Sequence, residues 1–105
     1  MITEKLLSQI RADAAALEQT GQDELARIML GFSGLVVKET SETLDKEALL
    51  KQIQILTHQA TLPKENRKNL LITSALFYLA LFSSVKSIGS YLIEHRDRIA
   101  VLLGV

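Results

Sequence analysis

Between Leu70 and Val85 the chain runs for sixteen residues without a formal charge. Wound into an α-helix, this stretch is apolar on nearly every side, because Leu70, Leu71, Ile72, Leu76, Phe77, Leu79, Leu81 and Phe82 leave no wide polar stripe. A helix of that kind must be enclosed, either by other helices or by lipid. The rest of the sequence decides between the two.

The chain has 105 residues, 48% of them apolar and 23% charged, enough for one domain around a single core and far from disordered. Twelve basic residues balance twelve acidic ones, so no overall field favours nucleic acid. The absence of cysteine rules out disulfides, thiolate metal sites and cysteine catalysis. The opening Met1-Ile2-Thr3-Glu4-Lys5 lacks the basic start and apolar run of a secretion signal, and with the missing cysteines it fits a cytoplasmic protein. The Met1 start favours a complete small protein over a detached tail.

No alternating strand pattern of any length occurs, and only one proline and five glycines interrupt the chain. The pattern predicts an all-α bundle of four to five helices, one domain over 1–105, with the apolar helix at its centre. The first helix is expected over about Thr3–Glu18, turning Ile2, Leu6, Leu7, Ile10, Ala14 and Leu17 inward. Gly21 should stop it as a left-handed cap. Thr20 and Asp23 have the spacing of a capping box for a second helix. In that helix Leu25, Ile28, Met29, Phe32, Leu35 and Val36 recur at three- and four-residue steps. Gly31 and Gly34, beside the stripe, read as points of close helix contact.

The polar run 38–43 is the best candidate for an inner boundary. Ser41 or Thr43 could cap a third helix through Ala60, with Leu44, Ala48, Leu49, Ile53, Leu56 and Ala60 inward and Ile55 off that stripe. Pro63 breaks the chain and suits the first turn of a fourth helix from about Lys64. Ser83-Ser84 then separates a fifth helix, the alternative being one continuous helix kinked near Gly89. In the last segment Val85, Ile88, Leu92, Ile99 and Leu102 step by three and four, with His95 filling the missing step.

Candidate chemistry is sparse. His95, on that stripe beside Glu94, Arg96, Asp97 and Arg98, could serve as a proton-sensitive switch, but its ordinary place is the edge of a core with one ring nitrogen bonded. His58 is solitary, with no carboxylate one turn away. Two distant histidines do not make a zinc site, which takes about three or four ligands, and no cofactor is implied. No Gly-x-Ser-x-Gly, phosphate-cradling loop or Glu-x-x-His pair is present. Lys86 among Ser83, Ser84, Ser87 and Ser90 invites a Ser–Lys hydrolase reading, yet a lysine base must be desolvated against the serine. The cluster Lys64, Arg67 and Lys68 could meet lipid phosphates or an acidic partner, and otherwise is a solvated first turn.

The segment EALLKQIQILTHQATLPKENRKNLL, with Gln59, Ala60, Leu62, Pro63, Glu65, Arg67 and Lys68, then Leu102, Leu103 and Gly104 at the end, resembles a helical tail module. That module closes many bacterial, notably cyanobacterial, multidomain and small regulatory-looking proteins. The resemblance covers about residues 47–105 and departs from the pattern in its last helix, where Tyr91 and His95 stand in a region often carrying tryptophan. It implies an accessory helical module with a packed apolar hairpin and no settled biochemical activity.

Three functions follow in order. The first is a non-catalytic module that binds a protein partner or itself, accessory to an effector or signalling protein. Its anchors would be Val85, Ile88, Leu92, His95 and Ile99 on a stripe left uncovered in the monomer. The second is a membrane-associated helical hairpin inserting through 70–93. Leu70–Val85 spans only about 24 Å against a hydrocarbon core of about 30 Å. Extension to Ile93 brings in Lys86, at roughly 2.5–3.5 kcal/mol. An enzyme comes third, for want of converging titratable groups.

Overall fold

The computed structural model describes residues 2–63, 76, 78–80 and 85–104. The chain is an all-α bundle: α1 (Ile2–Gln19), α2 (Asp23–Glu39), α3 (Thr43–Ala60) and α4 (Lys86–Leu103), with Leu76 and residues 78–80 also helical. The described residues contain no strand. The expected start of a helix at Lys64, the cluster Lys64, Arg67 and Lys68, and the Ser83-Ser84 pair lie outside the described residues.

α1 ends where the sequence places its stop. Gly21 takes φ +82°, the amide of Gln22 donates to the Leu17 carbonyl at 2.8 Å, and that of Gly21 donates to Glu18 at 3.2 Å. These two bonds form a Schellman motif, which satisfies carbonyls that the helix end would otherwise orphan. The capping box is not formed. Thr20 folds its hydroxyl back onto the carbonyls of Leu17 and Ala16, and Gln22 becomes the residue before α2 with no side-chain cap. The Thr20 hydroxyl donates to the helix behind, and its oxygen accepts from the Gln22 side chain rather than from an α2 amide.

Residues 20–22 and 40–42 are the only links between α1, α2 and α3, so the chain reverses twice and α1 runs parallel to α3. The run 38–43 holds the connection between α2 and α3, which pack on each other. Val85 is extended (φ −109°, ψ 110°) and precedes α4, so a break rather than a kink at Gly89 begins the last helix. Gly104 closes α4 in the left-handed conformation, its amide on the carbonyls of Ala100 and Val101. The positive φ is the backbone reason for glycine at this helix end.

The core joins Ile10, Ala14 and Leu17 of α1, Leu25, Met29, Phe32 and Val36 of α2, Ile53 and Leu56 of α3, and Ile88, Leu92 and Ile99 of α4. Leu76 and Ala80 enter the same core, whereas Tyr78 is 64% exposed. Ala48, expected inward, is half-buried outside the core, and two other expected core residues are largely exposed. Ile2 is 60% and Leu44 82% exposed. Both lie in first turns, and the parallel run of α1 and α3 puts those turns at the same end of the bundle. Farther along α3 the inner face is broader than expected, taking in Leu50 and Thr57. Thr57 is tolerated there because its hydroxyl donates to the Ile53 carbonyl at 2.6 Å.

Two glycines should respond oppositely to alanine. At Gly21 a Cβ meets open space but a positive φ, so Gly21→Ala should cost about 1 kcal/mol. Gly34 is helical with nothing within 4 Å of its Cβ position, so it is not the close helix contact its place beside the stripe suggests. Gly34→Ala should therefore stabilise by about 0.5–1 kcal/mol. Urea unfolding followed by circular dichroism measures both.

Candidate functional site

The stripe expected to meet a partner is already covered. Ile88, Leu92 and Ile99 are fully buried in the chain's own core, and Val85 is half-buried against it. They are therefore not free anchors, because α4 lies antiparallel on α2 and closes the bundle with that face. The periodicity is a true sign of burial, and periodicity does not say whose surface does the burying.

His95 is half-buried at the margin of that contact. Its Nδ1 lies 2.9 Å from the Tyr91 carbonyl, and since a carbonyl only accepts, the Nδ1–H donates. One bonded nitrogen at a core edge is the ordinary reading of such a histidine. The imidazole also stacks on Tyr91, centroids 4.2 Å apart, and the Tyr91 ring stacks in turn on Phe32 at 5.6 Å and 14°. The Tyr91 hydroxyl donates to the Ile28 carbonyl on α2 at 3.1 Å. Burial, and then the nearby Glu94 carboxylate, push the Tyr91 pKa above its usual value.

Gly31 makes this contact sterically feasible. A Cβ there would stand 2.6 Å from the Tyr91 hydroxyl oxygen. Farther along α4, Arg98 forms a two-pronged pair with Glu24, Nε to Oε1 and Nη2 to Oε2, both 2.6 Å. The Arg98 hydrogen bond and charge hold the Glu24 pKa below the usual carboxylate value. Glu24, Arg27, Ile28, Tyr91, His95 and Arg98 line an open cleft of about 340 Å³. Its charges are largely spent on each other, and it brings no nucleophile against a base.

The remaining candidates stay apart. His58 does find a carboxylate, Asp13 Oδ1 at 3.3 Å, but across to α1 rather than one turn along its own helix, which no local spacing could reveal. Lys86, Ser87 and Ser90 are exposed, so the lysine lacks the desolvation that a Ser–Lys mechanism needs. Among the described residues no three His, Asp or Glu side chains gather as a metal site. No helix among them is long and apolar enough to cross a membrane.

What sequence reasoning missed is a groove between the first halves of α1 and α3, about 560 Å³ in volume. Ile2 and Leu44 rise at its edge, half-buried Leu6 and Ala48 line it, and Lys5, Glu47 and Lys51 rim it. The signal is present in the sequence, but periodicity alone assigns both exposed residues to the core.

Two measurements test the α2–α4 contact. Tyr91→Phe should cost about 0.5–1.5 kcal/mol for the lost hydrogen bond. Gly31→Ala should cost about 1–3 kcal/mol through overpacking. In the Tyr91→Phe background Gly31→Ala should cost little, because the next ring atom is an ordinary 3.5 Å away. Additive losses in that double-mutant cycle would show that the tyrosine hydroxyl is not what the glycine accommodates.

The Glu24–Arg98 pair sets an acid limb. A depressed folded pKa contributes stability that is present above the unfolded value, near 4.5, and is lost as pH falls through the folded value. Melting temperature should therefore fall below about pH 4.5, and Glu24→Gln should flatten that fall.

No family model matches the chain, nor does any curated protein or solved structure.

Proposed function

We propose that this chain is a non-catalytic helical module that binds protein through the α1/α3 face. One observation carries the reading. Leu44 is 82% exposed and Ile2 60%, and both line one groove. Leaving two large aliphatic side chains in water brings the fold nothing, whereas burying each against a partner is worth about 1.5–3 kcal/mol. Scattered apolar residues on a surface are ordinary, but two at one groove with half-buried Leu6 and Ala48 beneath them form a continuous patch.

The mechanism is helix packing. A partner helix laid in the groove would cover Leu44 and Ile2 and keep Lys5, Glu47 and Lys51 at a polar rim, the usual layout of a protein interface. The likeness of residues 47–105 to bacterial accessory tail modules agrees with such a role. The Val85–Ile99 stripe is left out of it, because the fold already uses its apolar members.

A photo-crosslinking amino acid at position 44 tests this in cells, with position 96, an exposed arginine on α4, as the control. A discrete protein adduct from 44 and none from 96 is the expected result. Equal labelling from both sites, or none from 44, would reject the face. Leu44→Glu should leave the melting temperature within about 0.5 kcal/mol equivalent, because an exposed site away from the core contributes little to folding.

A further inference from the structure

We propose that the occupant of the α1/α3 groove is a second copy of this chain, docked about a two-fold axis that sets α3 across the partner's α3, antiparallel. The inference rests on the α1/α3 face being an interaction surface and adds its partner. In a two-fold interface each copy presents the same patch, so the patch must complement itself. A rim of one charge sign would repel its own image. This rim carries both signs in a particular order.

Glu47 and Lys51 stand one helical turn apart, and both line the groove. Antiparallel crossing reverses that order in the partner. Each Glu47 then faces the partner's Lys51, and each Lys51 the partner's Glu47. A single turn of helix thereby supplies two symmetric ion pairs. Between them lies Ala48, half-buried and small enough to let two helix backbones approach closely. One turn earlier is Leu44, the most exposed large apolar side chain among the described residues, and the crossing lays the partner's helix over it. Zero formal net charge leaves no long-range repulsion between copies.

An acidic or basic partner of another kind would complement a rim of one sign, and a lipid surface would favour an unbroken cationic rim. Glu47 on the rim interrupts a single sign. The same carboxylate is what a second copy requires.

The experiment is a concentration series of the full chain by sedimentation velocity and light scattering, with Glu47→Lys and Lys51→Glu variants whose helicity is checked by circular dichroism. The wild type should pass reversibly from monomer to dimer. Each variant alone places four like charges at the crossing and should weaken dimerisation at least about tenfold. An equimolar mixture of the two variants should restore a dimer, now mixed. In it the two lysines of one chain face the two glutamates of the other, so both contacts are again of opposite sign. A wild type that remains monomeric to about 1 mM overturns the proposal, as do single variants that dimerise like the wild type or a mixture that fails to pair. A monomeric wild type with a position-44 adduct to a different protein overturns the second copy and leaves the interaction face standing. Absence of both removes the face itself.

Discussion

The Tyr91 ring over Gly31 is the contact on which the architecture depends. α1, α2 and α3 are tied to each other by three-residue connections, whereas α4 reaches α2 only after a long excursion of the chain. Among the described residues its position against α2 is set by side chains. Tyr91 contributes a hydrogen bond to the Ile28 carbonyl, a ring stacked on Phe32, and a hydroxyl for which Gly31 leaves room. Aromatic stacking of this kind adds about 0.5–1.5 kcal/mol beyond burial and, unlike burial, specifies an angle. With that angle set, Ile88 and Leu92 toward one end and Ile99 toward the other fall onto the core, and Arg98 comes opposite Glu24.

The arrangement explains which parts of the sequence can be read directly. Helix ends are legible where backbone conformation demands a residue type, as at Gly21 and Gly104, because φ near +80° excludes nearly every alternative. The α2 stripe is legible because α2 packs on α1, α3 and α4, so nearly every apolar step finds a neighbour. Periodicity fails at the first turns of α1 and α3. It reports which side of a helix is apolar and carries no information about where the neighbouring helices stop. Ile2 and Leu44 have the right phase for the core but no neighbour covers them at that level.

The candidate site fails for a related reason. Val85, Ile88, Leu92, His95 and Ile99 do share a face, as their spacing says, but spacing cannot distinguish a stripe that meets its own bundle from one that meets another molecule. The long-range contacts are equally hidden. Asp13 with His58 and Glu24 with Arg98 join residues far apart in sequence, and Gly31 is explained only by a tyrosine on the last helix. Thr20 departs from its expected role for a different cause. Helix α2 has its cap position at Gln22, two residues beyond the one that a Thr20 box requires, and the Thr20 hydroxyl donates to the helix behind.

An apolar stripe can be buried only once. Had α4 presented its seam to a partner, the core would lose Ile88, Leu92 and Ile99, each worth about 1.5–3 kcal/mol, against a total stability that for a small domain is about 5–15 kcal/mol. Binding through that face would therefore have to replace most of the folding energy, and the free chain would not hold its shape. Residues that folding does not use carry no such penalty. Leu44 and Ile2 lie outside the core, and beside them on the same groove Lys51 is exposed and Glu47 half-buried. On the proposed reading, folding and association would be tuned by different residues, α2–α4 packing for the first and the opening turns of α1 and α3 for the second.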